Sequence, residues 1–368
     1  MKKELKVGVT ELHGIAQESV KSPPEGISYQ KLEPKDVWSN HIFRSPAKGV
    51  LNRYIDDDVD FVEAPLFPIL TSKPWIYTPA DTASAMAFNI FGVPTPRIFR
   101  ALILRYLFSR KNFLGLFFKS EAGLKTLDEY PLLKSKKIRA DVLYPAVQEY
   151  SRSNGSQRRD ASTINLIFVG EFFRKGGKEV IDAFVELKQK YPNISLSICA
   201  DRDKHFQSEL YKEKYLEIID SDENINLQFV TREELFDEHF ENADIFLCPT
   251  FQESFGYAIL EAMAKGLPII ASDVFAIPEM IENNVTGLLL PLNDQAYIKS
   301  LTGYCIDEIP ADFSDFLKSK LIDSISLLVD DEQLRQNLGS NARKKASEKF
   351  SFKIRNDFLS TIYRKDET

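Results

Sequence analysis

Cysteine and histidine are scarce in this chain of 368 residues, which contains 3 cysteines and 4 histidines. Cys199, Cys248 and Cys305 lie far apart, and two of them lie within apolar runs. This pattern argues against a disulfide framework or a zinc site and favours buried thiols in a reducing compartment. The histidines form no cluster with metal-ligand spacing. We therefore expect no metal centre and a cytoplasmic location.

Long apolar runs are missing as well. The sequence has no stretch of about 18 apolar residues, so we expect no transmembrane helix. The N-terminus, MKKELKVGVTELHG, carries lysines but lacks the apolar core of a secretory signal peptide. Hydrophobic residues make up 43% of the chain and charged residues 27%, which indicates a soluble globular protein long enough for two domains.

Basic residues are outnumbered by acidic ones, and the formal net charge is −7. The excess is uneven, because residues 1–150 carry a net charge of +4 and residues 151–368 a net charge of −11. A basic N-terminal half indicates an anionic partner for that half, although a chance division of surface charge explains the numbers equally well. The acidic C-terminal half argues against a nucleic-acid partner.

Strand and helix patterns alternate in both halves of the chain. In the first half, predicted strands lie in KVGV, ISYQKL, DFVEA, KPWIYT, FLGLFF and IRADVLYP, with a helix in RIFRALILRYLFSR. In the second half they lie in NLIFVG, ISLSICA, INLQFV, DIFLCPT, LPIIAS and TGLLLP, with helices in KEVIDAFVELKQKY and AILEAMAKG. This alternation predicts an α/β protein with two parallel, doubly wound sheets facing across a cleft.

The polar stretch SRSNGSQRRDAS at 151–162 is interpreted as the link between these domains. We place the first domain at 1–155, the second at 156–340, and at 341–368 a C-terminal helix that we expect to return to the first domain. No G-x-G-x-x-G or P-loop spacing follows a predicted strand, so a nicotinamide enzyme and a P-loop nucleotidase are disfavoured.

The run PTFQESFGYAILEAMAKG at 249–266 predicts an anion site. A strand ends at Pro249, and a helix begins after Gly256. Free backbone N–H groups and the positive end of the helix dipole would lie at the strand's carboxyl end, where a phosphate would fit. Glu253 precedes the helix and Glu261 lies two turns inside it, so each carboxylate can accept hydrogen bonds from a different pair of hydroxyls. By itself, the Glu-x7-Glu spacing is weak evidence.

The longer run from Pro249 to Leu290 resembles the C-terminal signature of the GT-B fold glycosyltransferases of family GT4. The matching positions are Pro249, Glu253, Phe255, Gly256, Glu261, Ala262, Met263, Ala264, Gly266, Pro268, Ala271, Ser272, Glu279, Asn284 and Gly287. Upstream, FVGEFFRKGGKEVIDAF at 168–184 resembles the first strand and loop of the family's nucleotide-binding domain. The resemblance is weaker in the N-terminal half, which in this family faces the acceptor.

The resemblance implies roles for individual residues. Glu253 would hold the donor sugar and Glu261 the ribose, while the base would lie beside Thr231. The diphosphate would meet the segment Ser254, Phe255, Gly256 and Tyr257, chiefly through the N–H groups of Gly256 and Tyr257. Arg174 and Lys175 would also bind the diphosphate, since phosphate esters need fixed positive charge; a basic loop that caps a helix is the structural alternative.

Three positions depart from the family pattern or match it weakly. Many relatives have arginine after the first glycine of the nucleotide-binding domain, where this chain has Glu171. Gly14 is the candidate for a phosphate contact in the first loop, ELHGIAQ. Asp81 is the candidate on the acceptor side, and a helix N-cap is an equally good interpretation of it.

Together these features imply a retaining, metal-independent glycosyltransferase that uses a nucleotide-diphosphate sugar and a glycan or lipid-linked acceptor. A catalytically inactive binding subunit and a sugar-nucleotide epimerase with the same fold are the alternatives. The stretch 93–120 has six Arg or Lys residues and no acidic residue. We expect it either to lie against an anionic membrane or to form an ordinary helix and a core strand.

Overall fold

The computed structural model describes residues 4–38, 42–44, 53–134, 138–150, 162–208, 210–292, 309 and 311–364. By its contacts, the chain divides into two compact units. Unit 1 comprises Met1–Ala146 and Phe350–Thr368, and unit 2 comprises Val147–Lys349. Residues 151–161 of the predicted link at 151–162 lie outside the described residues.

Unit 1 is built on a six-stranded sheet in which every neighbouring pair is parallel. Its strands are β1 (Leu5–Val9), β2 (Ile27–Lys31), β4 (Phe61–Ala64), β5 (Trp75–Tyr77), β7 (Phe113–Phe118) and β8 (Ala140–Val142), in the order β2-β1-β4-β5-β7-β8. A separate antiparallel pair is formed by β3 (Phe43–Arg44) and β6 (Asn89–Ile90). Five of the six sheet strands lie within a segment that was predicted as a strand, and β1 begins one residue before its predicted segment.

The helices of unit 1 are mostly short. They are α1 (Ile15–Lys21), α2 (Thr82–Ala85), α3 (Arg97–Phe108), α4 (Glu121–Lys125), followed by a 3₁₀ turn (Thr126–Glu129), and the C-terminal α12 (Phe352–Tyr363). One apolar cluster of this unit includes Val7, Phe117 and Leu359, so α12 packs on the sheet. A buried ion pair adds to this packing, because Arg355 Nη1 lies 3.3 Å from Glu18 Oε2.

Unit 2 repeats the architecture with a different strand order. Its strands are β9 (Ile164–Val169), β10 (Ile194–Cys199), β11 (Ile225–Gln228), β12 (Ile245–Cys248), β13 (Ile269–Ser272) and β14 (Leu288–Leu290). All pairs are parallel, and the order is β11-β10-β9-β12-β13-β14. Counted within the unit this is 3-2-1-4-5-6, the order of a Rossmann sheet, in which ligands bind where the strand order reverses.

The helices of unit 2 lie around that sheet. They are α5 (Gly177–Lys190), α6 (Lys212–Ser221), α7 (Arg232–Glu234), which continues as a π-helical turn (Leu235–His239), α8 (Tyr257–Lys265), α9 (Ile277–Met280), α10 (Ala311–Asp330) and α11 (Glu332–Phe350). Helix α5 buries Val180, Phe184 and Leu187, the three residues whose spacing predicted it.

The predicted α/β class with two Rossmann-like parallel sheets is confirmed. Helix α10 was not predicted, although Leu317, Leu321, Ile325 and Leu328 are fully buried at helical spacing along it. The contact division lies between Ala146 and Val147 rather than at 155, and α12 begins at Phe352 rather than at 341. Among the described residues, no helix combines the length and the apolar character needed to cross a bilayer.

Candidate functional site

The candidate site lies in unit 2, at the carboxyl ends of β9 and β12. These two strands are neighbours in the sheet, and the strand order reverses between them. The chain therefore leaves β9 and β12 toward different sides and opens a crevice at this edge. Both predicted motifs of this unit follow these strands, the first from Gly170 to Gly176 and the second from Pro249 to Gly256.

The two loops are packed directly against each other. Gly176 adopts φ +78°, and a β-carbon at this position would lie 2.3 Å from the carbonyl oxygen of Pro249. The Phe251 N–H donates to the carbonyl of Arg174 at 3.1 Å, which ties the loops together through their backbones. Glycine is thus required at 176 both for its backbone conformation and for the close approach of the second loop.

Lys175 and Glu253 form an ion pair across the two loops. Lys175 Nζ lies 3.4 Å from Glu253 Oε2, and the side chains are 15% and 11% exposed. Burial is the largest single influence and opposes the charged form of Lys175, but neighbouring groups, chiefly the Glu253 carboxylate, together outweigh it and raise the lysine pKa. Burial likewise opposes the Glu253 carboxylate, but Lys175, Arg174 and backbone N–H groups hold the carboxyl pKa below 4.5. The site therefore contains a charged carboxylate beside a charged ammonium.

Glu253 also contacts the chain that leads into α8. Its Oε1 accepts hydrogen bonds from the N–H groups of Ser254 at 3.0 Å and Phe255 at 3.5 Å. Phe255 is fully buried and anchors the turn, whereas Ser254 is exposed. Gly256 follows at φ +106°, and α8 begins at Tyr257.

Two helices begin at this edge of the sheet. Helix α5 follows Gly176 and helix α8 follows Gly256, and neither N-terminus has a side-chain cap. The positive ends of both helix dipoles are therefore directed toward the carboxyl ends of β9 and β12. Together with Lys175, they make this edge suitable for a phosphate group.

Arg174 forms an ion pair with Glu171, the residue that departs from the family pattern. Its Nε lies 2.5 Å from Glu171 Oε2, and its Nη1 donates to the carbonyl of Gln252 at 3.1 Å. The hydrogen bond from Arg174 lowers the pKa of Glu171, so the acidic partner is charged. Part of the positive charge that Arg174 would offer to a diphosphate is thus neutralised within the loop.

Glu261 is buried in α8, and its partner was not identified in the sequence. The Nε of Arg232 contacts Glu261 Oε1, and the Glu261 side chain is 8% exposed while that of Arg232 is 47% exposed. The Arg232 guanidinium also lies 5.5 Å from the ring centroid of Tyr257. Arg232 thus connects the loop after β11 with the start of α8, and its position after Thr231 was the only sequence signal for it.

Thr231 begins α7 as its N-cap. Its Oγ1 accepts from the Glu234 N–H at 3.2 Å, and its own N–H donates to Glu234 Oε2 at 2.7 Å. This capping box fixes the loop that carries Arg232. The predicted location of Thr231 beside a nucleotide base stays a prediction.

The remaining predicted residues lie in unit 1. Gly14 is the N-cap of α1, with φ +58°. Asp81 caps α2, because its Oδ1 accepts from the Ser84 N–H at 2.6 Å while Ser84 Oγ accepts from the Asp81 N–H at 3.3 Å. The structural interpretation of Asp81 is therefore present in the fold, and its catalytic role stays a prediction.

Glu11, which the sequence analysis did not select, follows β1 in the same unit. Tyr54 donates to its Oε1 at 2.9 Å, and burial raises its pKa. It lies where β1 neighbours β4 and the strand order reverses, which is the ligand-binding position of such sheets. The sequence signal that could have identified Glu11 was its position directly after β1 and Thr10.

No group of three or more potential metal-ligating His, Cys, Asp or Glu side chains occurs in the part of the chain that the structure describes. Metal independence was expected partly because no Asp-x-Asp pair was recognised, but the sequence contains four such spacings: Asp56/Asp58, Asp58/Asp60, Asp201/Asp203 and Asp220/Asp222. Asp201 Oδ1 accepts from the Asp203 and Lys204 N–H groups, so it stabilises its own turn. Cys199 and Cys248 are buried free thiols as expected, whereas Cys305 lies outside the described residues.

Comparison with known proteins supports the resemblance seen in the motifs. Residues 152–310 match the family model described as "Glycosyl transferases group 1". The match includes both loops of the site, from Gly170 to Gly176 and from Pro249 to Gly256, together with Arg232 and Glu261.

Two curated relatives each match part of the chain. The capsular polysaccharide biosynthesis glycosyltransferase CapM of Staphylococcus aureus is 24% identical over 197 residues, which are 53% of this chain and 44% of the relative. The D-inositol 3-phosphate glycosyltransferase of Pseudarthrobacter chlorophenolicus is 33% identical over 133 residues, 36% of this chain and 31% of the relative. The matched region thus spans less than half the length of either relative.

The solved structure of HepE from Anabaena in complex with UDP and glucose resembles the whole chain. Its TM-score is 0.63 at 14% identity, and the match covers 96% of this chain and 98% of HepE. At this identity the likeness establishes the fold. Residues 152–310 thus resemble glycosyl transferases group 1 both in the family match and in the motifs within it.

Proposed function

We propose that the protein is a glycosyltransferase that moves a sugar from a nucleotide-diphosphate sugar to a glycan or lipid-linked acceptor, with retention of configuration and without a metal ion. The observation that carries the proposal is the Lys175–Glu253 pair between two uncapped helix N-termini. A fixed cation and two helix dipoles suit a diphosphate, and a charged carboxylate suits sugar hydroxyls.

The proposed chemistry needs charge stabilisation more than proton transfer by the protein. As the bond between the anomeric carbon and the diphosphate oxygen breaks, negative charge grows on the leaving oxygen. Lys175, Arg174 and the α5 and α8 N-termini would stabilise that charge. Glu253 would orient the sugar so that the acceptor hydroxyl attacks from the face that the diphosphate leaves. The leaving phosphate oxygen would take the proton of the acceptor hydroxyl.

The nucleoside half of the donor would lie toward Glu261. Its buried carboxylate would accept hydrogen bonds from the ribose hydroxyls, and Arg232 would hold it in place. HepE, whose fold is similar, is described in complex with UDP and glucose, so UDP is the first nucleotide to test. The relative that acts in capsular polysaccharide biosynthesis supports a glycan or lipid-linked acceptor. The free buried thiols support a reducing, cytoplasmic location.

Calorimetric titration with UDP, GDP and ADP, with and without magnesium, tests the donor site. We expect one nucleotide to bind with the same affinity in both conditions and to bind much more weakly to Glu261→Gln. Incubation with the matching nucleotide sugars and release of free nucleoside diphosphate would then identify the donor. Comparison of the anomeric proton of donor and product by NMR tests retention, and an inverted product would contradict it.

A second candidate is a catalytically inactive binding subunit, and the Glu171–Arg174 pair favours it. A carboxylate 2.5 Å from the arginine reduces the positive charge available to a diphosphate. In that case none of the three nucleotides would bind, and the protein would instead co-purify with an active transferase. Binding of any of them that depends on Glu261 would argue against this candidate.

A further inference from the structure

A cluster of exposed apolar side chains lies between residues 91 and 106 of unit 1. Seventeen large hydrophobic residues are exposed in the described parts of the chain, and six of them fall in this short span. They are Phe91, Val93, Ile98, Phe99, Leu102 and Tyr106, with exposed fractions between 46% and 64%. Single exposed apolar residues are ordinary, but a concentration of this kind marks an interaction surface.

Helix α3, which carries four of these residues, is apolar on two sides. Its inner face buries Ala101, Leu104, Leu107 and Phe108 against the unit 1 core. On its outer side Ile98, Leu102 and Tyr106 follow each other at intervals of four residues, with Phe99 beside them. The inner face accounts for the stability of the helix, whereas a surface helix would normally have polar residues on the outer side.

Positive charge accompanies this apolar surface. No acidic residue occurs between Asp81 and Glu121, while six Arg or Lys residues do. Arg100 donates to the carbonyl of Met86, Lys119 is buried, and Arg97 lies over the Tyr130 ring. The other three are Arg105 on α3 and Arg110 and Lys111 directly after it. None of these three forms an ion pair among the described residues. Arg105, between Leu102 and Tyr106 in sequence, belongs to the outer side of the helix.

We infer that this α3 surface, consisting of Phe91, Val93, Ile98, Phe99, Leu102 and Tyr106 with Arg105, Arg110 and Lys111, docks on an anionic lipid bilayer. A bilayer offers apolar depth for the six side chains and negative head groups for the three cations. A second copy of the chain fits less well, because a two-fold contact would bring identical, unpaired cations together. The inference goes beyond glycosyl transfer, since docking requires neither donor nor acceptor.

Sedimentation with lipid vesicles tests the inference on the full chain. We expect the protein to bind vesicles of 70% phosphatidylcholine and 30% phosphatidylglycerol at least tenfold more tightly than pure phosphatidylcholine vesicles. Binding should weaken as salt rises from 50 to 500 mM, because head-group attraction is screened. The variant Phe99→Trp should show a blue shift with anionic vesicles beyond any change in the wild type. Equal binding to both lipids, or no binding, would overturn the inference.

Two variants separate the apolar from the electrostatic contribution. F99S/L102S and R105E/K111E should each reduce binding to anionic vesicles at least tenfold. The matched control is K353E/I354S, because these residues are exposed on α12 of the same unit. Circular dichroism and thermal melting would confirm that the variants are folded. Wild-type affinity in both α3 variants would overturn the inference, as would a lipid-free dimer that F99S/L102S dissociates.

Discussion

Arg232 and Glu261, 29 positions apart in the chain, are joined by an ion pair in which the arginine Nε contacts Oε1 of the buried carboxylate. The pair compensates the charge of a carboxylate that is buried in α8. It also places a cation beside Tyr257, the first residue of α8. In the proposed donor complex, Arg232 therefore acts as a positioning residue for the group that holds the ribose.

Replacement of Arg232 by alanine should weaken nucleotide binding and also reduce its selectivity for ribose. A misplaced carboxylate would lose hydrogen bonds worth about 2 kcal/mol, because it accepts them as a charged group. We expect the wild type to prefer UDP over 2′-deoxy-UDP or 3′-deoxy-UDP, and R232A to lose most of that preference. Calorimetry with these nucleotides measures it, and Glu217→Ala, at an exposed carboxylate on α6, is the control.

The Glu261→Gln and R232A variants together distinguish a misassigned donor site from a missing positioning role of Arg232. If Glu261→Gln binds UDP as the wild type does, Glu261 does not hold the ribose and the donor site itself is misassigned. If Glu261→Gln loses binding and R232A keeps both affinity and selectivity, the donor site stands and Arg232 has no positioning role.

Substitutions of Lys175 and Glu253 should have coupled effects on the free energy of unfolding. Lys175→Met leaves a largely buried carboxylate without its cation, and breaking such a pair costs about 3 kcal/mol or more. The double variant K175M/E253Q removes both charges, so we expect it to be clearly more stable than K175M while remaining inactive in transfer. Urea unfolding of the two single variants and the double variant measures the coupling. Additive losses would show that the two charges do not interact.

Gly176 should tolerate no side chain. Alanine there would strain a left-handed backbone and also push its β-carbon to 2.3 Å from the carbonyl of Pro249. Gly92 is the matched control, because it has φ +75° and open space where a β-carbon would lie. We expect G92A to lose about 1 kcal/mol of unfolding free energy and G176A considerably more. Equal losses would mean that the two loops separate easily.

The strands, the central helices and both site motifs could be predicted from the sequence because their signals are local. Apolar runs such as INLIFV and the periodicity of α5 depend on neighbours a few residues away. Partners such as Arg232 for Glu261, or Arg355 for Glu18, depend on how distant segments fold together, and one chain offers no local signal for them. Helix α10 is different, because its apolar spacing is local and was simply not recognised.

The same contrast applies to Asp81 and Glu11. The cap formed by Asp81 was one of the two interpretations that the sequence allowed, because aspartate is a common helix N-cap. The environment of Glu11 could not be predicted from the sequence, because its burial and its Tyr54 partner, 43 positions away, arise only in the folded chain.

Glu63 should make the stability of unit 1 depend on pH. Burial, only partly offset by Arg355, raises its pKa from 4.5 to about 7. The folded state thus binds a proton more tightly than the unfolded state, so this group's contribution is complete below pH 4.5 and is lost as pH rises through 7. The loss amounts to about 3 kcal/mol.

Glu63→Gln keeps the shape of the neutral acid, so we expect it to match the wild type near pH 5 and to be more stable at pH 8. Chemical unfolding at both pH values measures the difference, and Glu25→Gln, at an exposed carboxylate of the same unit, is the control. A wild type that gains stability over the same interval relative to Glu63→Gln would contradict the raised pKa.

Glu171 should weaken the contribution of Arg174 to diphosphate binding. The carboxylate lies 2.5 Å from the arginine Nε and is charged, so it competes with a diphosphate for the same cation. Glu171→Gln would leave the loop with one more unit of net positive charge. We expect it to bind UDP about three- to tenfold more tightly while its affinity for uridine is unchanged, because uridine lacks the diphosphate.

Arg174→Ala provides the complementary measurement, since it should weaken UDP binding but again leave uridine unaffected. The double variant E171Q/R174A should then resemble R174A, because the benefit of removing Glu171 requires the arginine. If E171Q instead lowers UDP affinity, the carboxylate is needed to hold Arg174 in its binding position. The pair would then be a supporting element of the diphosphate site, and the departure from the family pattern at Glu171 would no longer favour an inactive subunit.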